Sequence, residues 1–90
     1  MLKIWELDYK NHKVRVENTW FSGERLYVDD VLQDETVGSL SFSGRLFGNI
    51  KFENGSSETI KVSLGALLIS VNCRIFIDDK LVPIKKNIYV

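Results

Sequence analysis

The sequence predicts an all-β domain: one small antiparallel β-sandwich or partly open barrel of about eight strands. Three observations carry this. Apolar and polar residues alternate with a period of two in Lys13–Glu17, Ile50–Glu53, Ile60–Leu64 and Val71–Asp78, which puts one set of side chains into a core and the other into water. Turn-forming residues separate these runs at short intervals. No window of 11 or more residues has the i, i+3, i+4, i+7 spacing of an amphipathic helix.

The elements follow in order. Ile4 to Tyr9 opens the chain, with Trp5, Leu7 and Tyr9 in one phase, a core-packing pattern. Lys10-Asn11 is a turn, and His12 to Glu17 returns. Trp20-Phe21 are consecutive, so in a strand they face opposite ways. Ser22-Gly23 breaks the chain before Arg25 to Val28, and Asp29-Asp30 closes a hairpin. Residues 34–45, rich in Ser and Gly, join the halves. Phe47 to Phe52 begins the second half, and Asn54-Gly55-Ser56-Ser57 is the strongest turn signal. Leu64 to Ile69 reads as a strand continuation or a single turn. Asp78-Asp79 closes a second hairpin, with either two or three loop residues in each Asp-Asp hairpin. Pro83 places the last strand at an edge or a bulge. The predicted core is Leu7, Val14, Val16, Leu26, Val28, Ile50, Phe52, Ile60, Val62, Leu64, Val71, Cys73, Ile75 and Ile77.

One segment is written twice. Arg25-Leu26-Tyr27-Val28-Asp29-Asp30-Val31-Leu32 returns as Arg74-Ile75-Phe76-Ile77-Asp78-Asp79-Lys80-Leu81, with four of eight positions identical and three conservative. Upstream, His12–Val16 aligns with Ile60–Leu64. The expectation is one domain over residues 1–90 built from pseudo-repeats 4–36 and 47–84.

Ninety residues bound the core: a chain this short buries roughly 60–65% of its unfolded surface. Lys and Arg number 12, Asp and Glu 12. Zero net charge speaks against a dedicated nucleic-acid binder and against a polybasic membrane-surface protein, so neither partner is expected. The start has no basic region followed by a long apolar run, and a single cysteine allows no intrachain disulfide, so a cytoplasmic protein is expected.

Catalytic sets are sparse. The one His and one Cys, His12 and Cys73, make a dyad only if their strands meet, and Cys73 has the phase of a buried hydrophobe. No zinc-ligand spacing occurs. Asp29, Asp30, Asp34 and Glu35 offer carboxylates without a calcium-loop pattern, and solvated turns explain them better. The expectation is no catalytic residue, metal or cofactor, hence no enzyme. Trp20, Phe21, Tyr27 and Phe76 are the candidate ligand- or partner-binding residues. Tyr27 and Phe76 fall at equivalent repeat positions, out of phase with the core, and exposed rings there mark an interface or ligand groove.

His12-Lys13-Val14-Arg15-Val16-Glu17, Ser22-Gly23-Glu24-Arg25 and Tyr27-Val28-Asp29 resemble the opening strands of the Fas apoptotic inhibitory molecule family. The resemblance covers about a quarter of the chain and departs at Asp30, where that family would have glycine. It implies a non-enzymatic all-β intracellular sandwich. The functional expectation is a non-catalytic interaction module binding an unknown protein or a second copy of itself as a homodimer. The alternative is a small-ligand or carbohydrate binder using exposed aromatics.

Overall fold

The computed structural model describes residues 2–19, 23–36, 43–67 and 70–89, with the backbone alone at Ser43, Ala66, Leu67, Ser70 and Val71. These residues form nine strands and no helix: β1 Leu2–Tyr9, β2 His12–Thr19, β3 Gly23–Val28, β4 Val31–Thr36, β5 Ser43–Lys51, β6 Ser57–Leu67, β7 Ser70–Ile77, β8 Lys80–Val82 and β9 Lys86–Tyr89. Two antiparallel sheets pack face to face, ordered β4-β3-β2-β1-β9 and β5-β6-β7-β8. The fold is therefore a sandwich and not a barrel. The strand beyond the expected eight is β9, which leaves the second sheet after Pro83 and pairs with β1, Ile4 opposite Ile88.

The hairpins follow from their turn residues. Tyr9 pairs with His12, Val28 with Val31 and Ile77 with Lys80, so each loop has two residues. Both residues of each loop have positive φ: 46° and 65° at Lys10-Asn11, 50° and 66° at Asp29-Asp30, 52° and 62° at Asp78-Asp79. This is the type I′ geometry whose twist matches that of the flanking strands. Asp tolerates it, but glycine suits the second position better. Asp79→Gly is expected to raise stability by about 0.5 kcal/mol in urea unfolding, because the Asp79–Lys61 ion pair it removes is exposed at both ends. The β5–β6 connection closes as an Asx turn, with Asn54 Oδ1 accepting the Ser56 N–H at 2.9 Å and Gly55 at φ 89°.

The duplicated segments are the β3–β4 and β7–β8 hairpins. Asp29 N–H donates to the Lys13 carbonyl and Asp78 N–H to the Thr59 carbonyl, both at 2.9 Å. Val14 lies opposite Val28 and Ile60 opposite Ile77. Register therefore matches Val14 with Ile60, two residues away from the sequence alignment of Val14 with Val62. A shift of two preserves the face, so the core pattern hid it.

The core between the sheets is Trp5, Leu7, Val14, Val16, Leu26, Val28, Leu46, Ile50, Ile60, Val62, Leu64, Ile75 and Ile77. Phe52 and Cys73, expected inside, are only partly buried and pack against its margin; the Val71 side chain lies outside the described residues. Leu46 was missed because its phase partners are Gly44 and Gly48, which erase the apolar alternation, and because β5 begins at Ser43 within the expected linker. Leu64 continues as strand to Leu67, while Leu68 and Ile69 lie outside the described residues.

One side of the sandwich is sealed by side chains. Between Leu26 and Tyr27 the register of β3 against β4 shifts, with Leu26 opposite Asp34 and Tyr27 opposite Leu32. Gln33 is thus the extra residue of a bulge, a feature that re-aims side chains. Asp34 Oδ2 accepts the Phe47 N–H at 2.9 Å and Gln33 Oε1 the Asn49 N–H at 3.4 Å. The edge of β5 is thereby capped by β4, which limits pairing with other chains. Among the described residues no helix is long and apolar enough to cross a membrane.

Candidate functional site

The outer faces of the two sheets differ in charge pairing. On the five-stranded sheet, cations and carboxylates sit beside one another. Lys13 lies 3.9 Å from Glu6, Arg15 3.1 Å from both Glu17 and Asp30, and Arg25 3.1 Å from Glu35. The Arg15 guanidinium also covers the Tyr27 ring at 4.6 Å. This face is internally compensated.

The four-stranded sheet presents a different surface. Register places Phe47 opposite Lys61, Lys61 opposite Phe76, and Phe76 opposite Leu81, one row across β5, β6, β7 and β8. Phe47 is 52% exposed and Leu81 61%, while Phe76 is half-buried. The next row is Arg45, Ser63 and Arg74. All three are exposed. Among the described residues neither guanidinium has an acid partner; Lys61 pairs with Asp79 at 2.9 Å. Three open depressions meet at Ser63, of about 330 Å³ beside Phe47 and Phe76, about 310 Å³ beside Gly44 and Arg45, and about 210 Å³ beside Gly65 and Arg74. Together they form a shallow trough along β6.

Of the four residues expected at a binding site, Phe76 lines this trough. Tyr27, its counterpart in the other hairpin, lies on the opposite outer face under Arg15, so the structure does not bring the two together. Trp20 and Phe21 lie outside the described residues. Phe47, Arg45, Lys61, Ser63, Arg74 and Leu81 were missed. Their shared signal, membership of the solvent phase of adjacent strands, becomes readable only once the register of β5, β6 and β7 is known.

His12 and Cys73 occupy different surroundings. His12 Nδ1 is 2.6 Å from Asp29 Oδ2, and its ring meets Phe52 edge-on at 5.5 Å. Asp29 also accepts the Lys13 N–H at 2.8 Å; that bond first, and His12 second, holds its carboxyl below the ordinary range. Cys73 instead lines a depression with Lys3, Trp5, Asn72, Arg74 and Ile84. Burial, with the Glu24 carboxylate nearby, pushes its thiol up to about 12, leaving little thiolate near neutrality. The hairpin carboxylates are engaged individually: Asp30 with Arg15, Asp34 with the Phe47 and Glu35 N–H groups, Glu35 with Arg25. Among the described residues no three His, Cys, Asp or Glu side chains are grouped to hold a metal ion.

Among the described residues Glu24 is the buried acid. It projects inward from β3, accepting from Asn18 Nδ2 at 3.3 Å and Thr36 Oγ1 at 3.2 Å. Burial raises its proton affinity, and these two bonds only partly offset that. The raised folded value means the folded state binds the proton more tightly than the unfolded chain. This contribution to stability is therefore most favourable below the unfolded value, and it declines as pH climbs through the folded one. Asp29, shifted down, acts in the opposite sense, so the comparison of wild type with Glu24→Gln isolates the effect. Glu24→Gln is expected to remove that decline. At pH 7 the variant should be about 1 kcal/mol more stable, because the Asn18 amide can turn so that its now unpartnered Oδ1 accepts from the new amide. Urea unfolding at pH 4 to 8 reads this directly, and equal slopes for the two proteins would contradict it.

No protein-family model, curated protein or solved structure matches the chain.

Proposed function

We propose that this protein is a non-catalytic interaction module whose binding surface is the outer face of the four-stranded sheet. The observation that carries the reading is the cross-strand row Phe47, Lys61, Phe76 and Leu81, exposed but for the half-buried Phe76, beside Arg45 and Arg74, which have no acid partner among the described residues. Aromatic and Arg side chains are the types enriched at recognition surfaces. The trough is open and shallow, which suits a macromolecule better than an enclosed small substrate. The Cys73 thiol, pushed up to about 12 by burial, supports a non-catalytic role. The likeness of the first hairpins to the Fas apoptotic inhibitory molecule family supports the same reading, without extending to that family's cellular role.

A photo-crosslinking residue placed at position 47, 76, 4 or 27 tests it in extracts of the native host. Adducts at 47 and 76, with none at 4 and 27, are the expected result. Adducts confined to 4 and 27, or none at any position, would refute the assignment.

A further inference from the structure

We propose that this same face binds single-stranded nucleic acid, with a phosphate over Ser63 between Arg45 and Arg74 and bases against Phe47 and Phe76. The inference rests on the interaction face assigned above and names its ligand.

Adjacent strands lie about 4.8 Å apart, so Arg45 and Arg74 flank Ser63 from about 5 Å on either side. A phosphate there meets a cation on each side and a hydroxyl donor beneath. Arg suits this role because its planar fork matches phosphate oxygens two at a time. Two residues along each strand, about 7 Å away, lie Phe47, Lys61 and Phe76. Phosphate and planar base are thus offered neighbouring rows at a nucleotide's own scale.

In the other direction along β6 comes Gly65, where a Cβ would meet nothing within 4 Å. The floor of the trough stays open there, so a chain can run on over it. Grooves that bind single strands combine such cations with aromatic platforms and leave the ligand partly exposed.

The zero net charge is an average over two unlike faces. Cations on the five-stranded sheet are neutralised in place by Glu6, Glu17, Asp30 and Glu35. On the four-stranded sheet Arg45 and Arg74 have no acid partner among the described residues, and Asp79 is paired with Lys61. The local surface is therefore basic although the chain is neutral.

Fluorescence anisotropy of the full chain with labelled dT15 tests the proposal between 20 and 200 mM salt. Binding should weaken with salt at a log–log slope of about −0.7 for the one phosphate held between Arg45 and Arg74. Arg45→Ala/Arg74→Ala should weaken binding at least tenfold and bring the slope close to zero. Phe47→Ala, at an exposed position, should weaken it about tenfold with the slope unchanged. Lys13→Ala/Arg25→Ala on the opposite face should change nothing. The proposal is overturned by no binding at 20 mM salt, by duplex DNA bound as tightly as dT15, or by equal losses from the two double variants. Tighter binding of a phosphotyrosine peptide than of dT15 overturns it too. Protein adducts at position 47 combined with no dT15 binding would sink the nucleic-acid inference while leaving the interaction face in place.

Discussion

Leu26→Ala is expected to lower the melting temperature by roughly 15 °C, the consequence of about 3 kcal/mol lost from a 90-residue domain. Leu26 is fully buried on β3 and reaches across to β5. A Cβ placed on Gly48 would lie 3.0 Å from Leu26 Cδ2 and 3.1 Å from Gln33 Cβ. The leucine therefore fills the space that the glycine leaves between the sheets. Truncating it removes methyl contacts and leaves a gap that Gly48 has no side chain to occupy. A small domain has total stability of only about 5–10 kcal/mol, so a loss of this size is a large share of it. Circular dichroism melting measures the shift. A fall under about 3 °C would mean that the sheets close over the gap at little cost.

The second large effect couples Gly44 with Glu24. A Cβ on Gly44 would overlap the Glu24 carboxylate at Oε1, the oxygen that accepts from Thr36 at 3.2 Å. Gly44→Ala should therefore push the carboxylate off its partners. The expected cost is about 2 kcal/mol, the scale of a disrupted hydrogen bond to a buried charge. Glu24→Ala empties the same space but strands the Asn18 amide. In the double variant the new methyl enters the space vacated by the carboxylate. It should be more stable than the sum of the single changes by about 2 kcal/mol, a coupling typical of residues in contact. Strict additivity in urea unfolding would show that the two positions do not share that space.

Much of the fold was legible because local rules agreed with the tertiary ones. Asn11 and both Asp-Asp pairs tolerate positive φ, and all three loops became two-residue turns. Val14, Val16, Leu26 and Val28 alternate in the sequence and lie in the core. What stayed hidden depended on neighbours distant along the chain. Leu46 is framed by Gly44 and Gly48, whose missing side chains make room for Glu24 and Leu26 from the other sheet. Glu24 reads as a surface acid until its inward phase on β3 is seen.

The candidate face was the least legible part. Arg45, Ser63 and Arg74 lie far apart in sequence, and only strand register makes them neighbours. Tyr27 and Phe76 share a motif position, yet each hairpin belongs to a different sheet and points its ring away from the other. Repetition in the sequence reported scaffold, while the difference between the two outer faces separates their chemistry.

The central claim is that recognition belongs to the outer face of the four-stranded sheet. Its most direct measurement is an amide chemical-shift map of the labelled protein titrated with dT15 at low salt. The account predicts shifts concentrated at Arg45, Phe47, Lys61, Ser63, Arg74 and Phe76, with Arg15, Arg25 and Tyr27 unmoved. Shifts centred on the five-stranded sheet would contradict it, whereas none at saturating dT15 would contradict the nucleic-acid inference alone.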